Sequence, residues 1–208
     1  MKNIYSACMN GDINTVKHHI SNGYNVNKKN SANNTCLHYA CWYDRIEVAK
    51  LLLTNGAHVN TKDNSGYTCL QNVCIHGNYD IAKLLIDHKA DIYDKISKKE
   101  ERCINIACRH GHGNIVELLI NNGASTNSKN SHGKSCLYYA CKFKYISVIK
   151  ALVNNGEYID SESLSSDNVN VAKFLKKEML KRLYIISMII QRDVFKKYIL
   201  SNYQPNNK

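Results

Sequence analysis

Apolar residues recur along this chain in short, evenly spaced groups separated by polar stretches. Leu51-Leu52, Leu84-Leu85 and Leu118-Leu119 fall in phase, echoed by Ala151-Leu152. Upstream of each lies a second group in which Leu37 and Ala40, Leu70 and Val73, and Leu137 and Ala140 stand three apart. That spacing puts both members on one face of a helix. The pattern predicts pairs of short helices, each pair followed by a polar turn.

The cysteines carry the same period. Cys8, Cys41, Cys74, Cys108 and Cys141 are separated by 33, 33, 34 and 33 residues. Cys36, Cys69, Cys103 and Cys136 form a second series in step with the first. Together they account for all 9 cysteines. Ala7, Ala40, Val73, Ala107 and Ala140 precede the first series, and Gly23, Gly56, Gly123 and Gly156 recur, with Lys89 in place of one. A period near 33 residues marks a solenoid of stacked units.

These residues carry a family resemblance. Thr35-Cys36-Leu37-His38-Tyr39-Ala40-Cys41, then Val48-Ala49-Lys50-Leu51-Leu52 and Asn55-Gly56-Ala57, resembles the ankyrin repeat, as do Gly111-His112 and Ile115-Val116-Glu117-Leu118-Leu119. The resemblance implies an all-α fold, an α-solenoid of stacked helix-turn-helix repeats with short hairpin loops. It covers residues 1–162, divided as 1–29 (partial), 30–62, 63–95, 96–129 and 130–162. Thr35, Thr68 and Ser135 are placed to cap the first helix of a unit. Arg102 takes that place in the fourth unit, where one extra residue predicts a distorted loop. Asn-Gly at 55–56, 122–123 and 155–156 suits the end of the second helix. Ser65-Gly66 and His132-Gly133 suit tight turns.

Residues 163–201 depart from the pattern. Val171-Ala172-Lys173-Phe174-Leu175 resembles the second helix of an incomplete sixth repeat, but 161–167 lacks the expected opening motif. A separate capping helix is expected over about 182–201, with Leu183, Ile186, Ile190 and Val194 along one face. Residues 202–208 read as a tail.

Charge is uneven. The net charge is +11, and residues 163–208, with nine Lys/Arg against three Asp/Glu, hold +6 of it. Lys173, Lys176, Lys177, Lys181 and Arg182 form a basic patch suited to an acidic partner, nucleic acid or anionic lipid. The bland alternative is a solvated face in a Lys-rich chain, with 23 Lys against 5 Arg, and 27 Asn. The longest apolar stretch, 183–190, is too short to span a bilayer, which needs about 20 residues. An export signal is not evident, so the expected location is cytoplasmic, with the nucleus second.

Catalytic and metal chemistry find little support. Cys-x4-Cys occurs four times, but five residues along a helix turn about 500°, so the two thiols point about 140° apart. The repeat accounts for each cysteine as a small core residue. His38 matches the family's structural histidine, with a hydrogen bond inside the repeat as its implied role. Gly111-His112-Gly113 reads as a repeat turn and not as a phosphate loop. Neither an enzyme, nor a metal, nor a cofactor is expected.

The resemblance implies protein binding at the loop tips and on the concave face of the first helices. The matching positions here are Trp42, Tyr43, Ile75, His76, Arg109, His110, Lys142 and Phe143, with Ser31, Asn34, Tyr67, Lys98, Lys99 and Lys134 in loops. Trp42 is the only tryptophan, and aromatic and arginine side chains anchor interfaces. The competing reading packs Trp42 against its neighbour repeat. The expected partner is an unidentified protein with acidic patches, bound by a monomer. Ankyrin-only chains of this Asn/Lys-rich kind resemble those of large DNA viruses, intracellular bacteria and some protists, which suggests an adaptor or competitor. Residues 183–208 lack the leucine-proline start of the F-box-like segment found in some viral relatives. The second reading is nucleic-acid or anionic-membrane binding through the basic patch, which no recognised nucleic-acid motif supports. The resemblance also points to Asn27, Asn60 and Asn127 as asparagines open to hydroxylation, while Tyr93 and Asp160 break that series.

Overall fold

The computed structural model describes residues 3–95, 101–130, 132–157, 159 and 169–202; side chains at 169, 170 and 194–202 are not described. The described residues are helical, with two isolated bridges, Lys62 to Thr68 and Lys129 to Ser135, closing hairpin-like turns. They divide into two units, residues 1–158 and 159–208.

The first unit contains five helix pairs. The first helices are α1 (Ile4–Asn10), α3 (Cys36–Trp42), α5 (Cys69–His76), α7 (Cys103–His110) and α9 (Cys136–Lys142). The second helices are α2 (Ile13–Ser21), α4 (Ile46–Thr54), α6 (Tyr79–Asp87), α8 (Gly113–Asn121) and α10 (Ile146–Asn154). Each first helix packs on the next first helix, and each second helix on the next second helix. This is a two-layer helical solenoid. Its core is the periodic set, with Leu37, Leu52, Leu70, Leu85, Leu119, Leu137 and Leu152 fully buried. All nine cysteines are buried free thiols. Cys41 lies beside Cys69, and Cys108 beside Cys136, across successive repeats.

Side chains placed by the sequence close the helix starts. Thr68 Oγ1 accepts from Gln71 N at 3.3 Å and Ser135 Oγ from Tyr138 N at 3.1 Å. The third helical residue answers: His38 Nδ1 accepts from Thr35 N at 3.2 Å, and Gln71 Oε1 from Thr68 N at 2.9 Å. Arg102 has no hydroxyl, yet the fourth repeat keeps half of this arrangement because Asn105 Oδ1 accepts from Arg102 N at 3.2 Å. The loop expected to be distorted there includes 96–100, outside the described residues. The preceding turns depend on one side chain each. Asn30, Asp63 and Asn130 each accept from backbone N–H groups two and four residues on, at 2.8 to 3.1 Å.

Second helices end in a left-handed residue, Gly56, Gly123 or Gly156. Lys89 holds the same place at φ +67. Its N–H still reaches Ile86 O at 2.9 Å, as Gly56 N reaches Leu53 O at 3.1 Å. Hydrogen bonding is therefore kept, but a side chain sits where L residues are strained.

Beyond the repeats the structure differs from expectation. A single helix, α11 (Val169–Asn202), of 34 residues replaces the separate segments predicted around 171–175 and 182–201. Residues 176–182, Lys-Lys-Glu-Met-Leu-Lys-Arg, are all good helix formers with no glycine, proline or cap among them. Leu183, Ile186 and Ile190, the expected capping face, are each more than half exposed, while Val171 and Leu175 are buried. The side chain of Val194, the segment 161–167 and the tail beyond 202 lie outside the described residues.

Replacing Lys89 with glycine removes the left-handed strain. Lys89→Gly is expected to raise stability by about 1 kcal/mol, offset in part by glycine's flexibility in the unfolded chain. Urea unfolding of the variant checks this.

Candidate functional site

The ends of the first helices and the loops before them form the candidate site. Tyr39 and Tyr139 organise it in repeats two and five. Asn30 Nδ2 donates to Tyr39 Oη and Asn130 Nδ2 to Tyr139 Oη, both at 2.9 Å. Each fixed tyrosine then supports an aromatic neighbour. Trp42 packs edge-on to Tyr39 at 5.6 Å and to His38 at 6.2 Å. Phe143 stacks on Tyr139 at 6.3 Å.

Five of the predicted contact residues meet in one place. Asn34, Trp42, Tyr67, Ile75 and His76 line a groove of about 440 Å³ between repeats two and three. Asp63 and Asn72 line it as well. Trp42 is half-buried, so it both packs within its repeat and shows one side to the groove. Tyr43 stands apart, 45% exposed.

The fourth repeat behaves differently. Arg109 was expected to face a partner, but its Nη2 lies 3.0 Å from Glu101 Oε2, and Glu101 is buried. This ion pair spends much of the arginine's charge within the repeat. His110 stacks on His112 at 6.3 Å. Burial, then the Arg109 cation, pushes the His110 imidazole below its usual range. His112 Nε2 lies 3.0 Å from Ile75 O, over Gly77, where a β-carbon would meet the ring at 2.5 Å. Gly77 therefore permits the close approach of repeat four.

The fifth repeat is cationic and aromatic. Lys134 Nζ sits 4.3 Å from the Tyr138 ring centre, and Lys142 Nζ lies 5.7 Å from that of Phe143. Phe143 and Lys142 are exposed. Ser31 is exposed in its loop, and Lys98 and Lys99 lie outside the described residues.

The remaining predicted residues sit elsewhere. Asn27 Nδ2 donates to Gly56 O at 2.9 Å and its Oδ1 accepts from His58 N at 2.7 Å. Asn60 does the same toward Lys89 O at 3.4 Å and Asp91 N at 2.8 Å. Both amides bridge successive repeats; Asn60 and Asn127 are exposed and Asn27 half-buried. On α11, Lys173, Lys176, Lys177 and Lys181 surround Leu180 and Tyr184 on an open surface. Arg182 is half-buried and lies outside that set. Among the described residues, no group of three or more His, Cys, Asp or Glu could hold a metal ion, and no helix is long and apolar enough to cross a membrane.

Sequence reasoning missed Asp63 and Asn72 as groove residues. Asp63 begins the turn ending at Tyr67, and Asn72 lies one turn before Ile75, so the period itself held the signal.

A family model for ankyrin repeats (3 copies) matches residues 4–96 and 93–163. The chain belongs to the ankyrin-repeat family. Among solved structures, the crystal structure of the human ASB11 ankyrin repeat domain is similar, with a TM-score of 0.76 and 26% identity. That match covers 86% of this chain and 84% of the ASB11 chain. No curated protein matches the sequence significantly. Ankyrin repeats are in general protein-interaction modules, typically non-catalytic binding scaffolds.

His38 gives a pH prediction for this ankyrin array. Burial pushes its imidazole below the ordinary 6.5. The unfolded chain then binds a proton near pH 6.5 that the folded chain refuses. Stability is full above that pH and falls as pH drops below it. Gln71 shows that glutamine makes the same hydrogen bond. His38→Gln is expected to fold and to lose less stability between pH 6.5 and about 5 than the wild type. Thermal melts across that range check this.

Proposed function

We propose that this chain is a non-catalytic adaptor or competitor that binds one partner protein on the concave, first-helix surface of its ankyrin repeats. The observation that carries this reading is the presentation of Trp42, Tyr67 and Ile75 around one groove, with Tyr43 and Phe143 exposed on the same helix ends. Buried or bonded aromatics would be core; these offer apolar area to a partner. Large rigid side chains lose little entropy on binding and dominate interface energies. Lys134, Lys142 and Phe143 at the fifth repeat favour a partner with acidic groups near its apolar anchor. The protein acts as a monomer in the cytoplasm under this reading, and the kinship with viral or pathogen effectors remains part of the proposal. Hydroxylation of Asn27, Asn60 or Asn127 would be done to the protein. Modifying Asn27 or Asn60 requires opening an inter-repeat bridge.

A second reading rests on α11. Its lysines flank exposed Leu180 and Tyr184, and the apolar side chains of Leu183, Ile185, Ile186, Met188, Ile189 and Ile190 are all exposed. That surface would suit nucleic acid or an anionic membrane.

Affinity capture from lysate with and without nuclease treatment, comparing wild type with Trp42→Ala/Tyr43→Ala/Phe143→Ala, separates the two. The variant is first shown to fold by circular dichroism. Loss of a captured protein by tenfold or more, about 1.4 kcal/mol, supports the first-helix surface. Capture unchanged by the variant but abolished by nuclease or by moderate salt supports α11. In that case affinity should fall with about the fourth to fifth power of salt concentration.

A further inference from the structure

The groove between repeats two and three contains two buried carboxamides, each with one polar atom that lacks a partner. Asn34 is 6% exposed and its Oδ1 accepts no hydrogen bond; Asn72 is 7% exposed and its Nδ2 donates none. Both side chains line the groove with Trp42, Tyr67 and Ile75. Leaving such a group shielded from water and unpaired costs about 1–3 kcal/mol. Other amides of this array are satisfied. Asn105, also buried, donates to Ser128 O at 3.1 Å and accepts from Arg102 N and Ser128 Oγ at 3.2 and 3.0 Å. Asn30 and Asn130 both donate to a tyrosine and accept from their own turns. Asn34 Oδ1 and Asn72 Nδ2 are thus an unpaired acceptor and an unpaired donor, buried in the lining of one groove with aromatic and aliphatic walls.

We propose that this groove takes an extended segment of the partner protein and reads its main chain. One apolar or aromatic residue of the segment packs against Trp42, Tyr67 and Ile75. A backbone N–H beside it donates to Asn34 Oδ1, and a backbone C=O accepts from Asn72 Nδ2. The terminal torsion of asparagine is soft, so either amide can turn its polar atom toward the groove at little cost. An extended chain offers donor, acceptor and side chain in close sequence, as this lining requires. Asp63 is in the groove's lining together with His76, which is no trap for a phosphate or a run of carboxylates. The acidic part of the partner belongs farther along, at Lys134 and Lys142. This inference rests on the first-helix reading and narrows it to a peptide segment and two residues.

Trp42, as the only tryptophan, reports on the groove directly. The test pans a random dodecapeptide phage library on the full chain, then titrates the enriched peptides while following Trp42 emission. Enriched peptides should share an apolar or aromatic residue and shift the emission saturably. N-methylation at or beside that residue should weaken binding about fivefold or more. Asn34→Ala and Asn72→Ala should weaken it similarly; the methylated peptides, used on wild-type protein, keep the test valid should either variant fail to fold. If no enriched peptide moves Trp42 emission, or if methylation at every position leaves affinity unchanged, the proposal is overturned. Peptides that depend on Tyr43 and Phe143 yet leave Trp42 emission unmoved would overturn it while the wider first-helix reading stands.

Discussion

Every helix in the repeat array depends on the next one. The ten repeat helices have seven to nine residues each. Helices shorter than about 12–15 residues are marginal alone in water. Stacking must therefore supply their stability, and stacking requires close approach. Alanine and cysteine at 7–8, 40–41, 107–108 and 140–141, with Val73-Cys74 between them, provide it. The second cysteine series, at 36, 69, 103 and 136, is equally buried. Burial, then the neighbouring Cys136 thiol, pushes Cys108 well above the ordinary thiol range, and Cys69 likewise beside Cys41. Such thiols stay protonated and unreactive. All nine cysteines are buried in the packing.

A core made of small periodic residues leaves the helix ends free to vary. Positions 38, 71 and 105 are His, Gln and Asn, yet each accepts from the N–H that opens its helix. Positions 42, 75, 109 and 142 are Trp, Ile, Arg and Lys, and no shared contact holds them alike. The scaffold thus separates its two tasks. Capping and stacking repeat; the surface grades from aromatic and apolar in repeats two and three to cationic in repeat five. The half-buried Glu101–Arg109 pair interrupts that gradient, since its charge is largely answered within the repeat.

The fold was legible because its cause is periodic. Thr35, Thr68 and Ser135, and the glycines at 56, 123 and 156, stand at the helix ends that their chemistry predicts. What the sequence hid depends on particular side-chain neighbours or on the lack of a stop signal. Arg109 finds Glu101 eight residues back, just before α7 begins. Asn72 shares a groove with Asn34 because stacking brings α5 beside the preceding loop. The helix α11 runs unbroken because nothing in 176–182 ends it, whereas repeat similarity at 171–175 suggested a stop.

Placement of a photo-activatable residue at single positions tests the central claim, that partner contact falls on the first-helix surface. Position 43 on that surface, position 83 on the exposed side of α6 and position 181 on α11 make one comparison in cells. The account predicts one cross-linked protein from Tyr43 and none from Lys83 or Lys181. Cross-linking confined to Lys181 would contradict it and place the functional surface on the C-terminal helix.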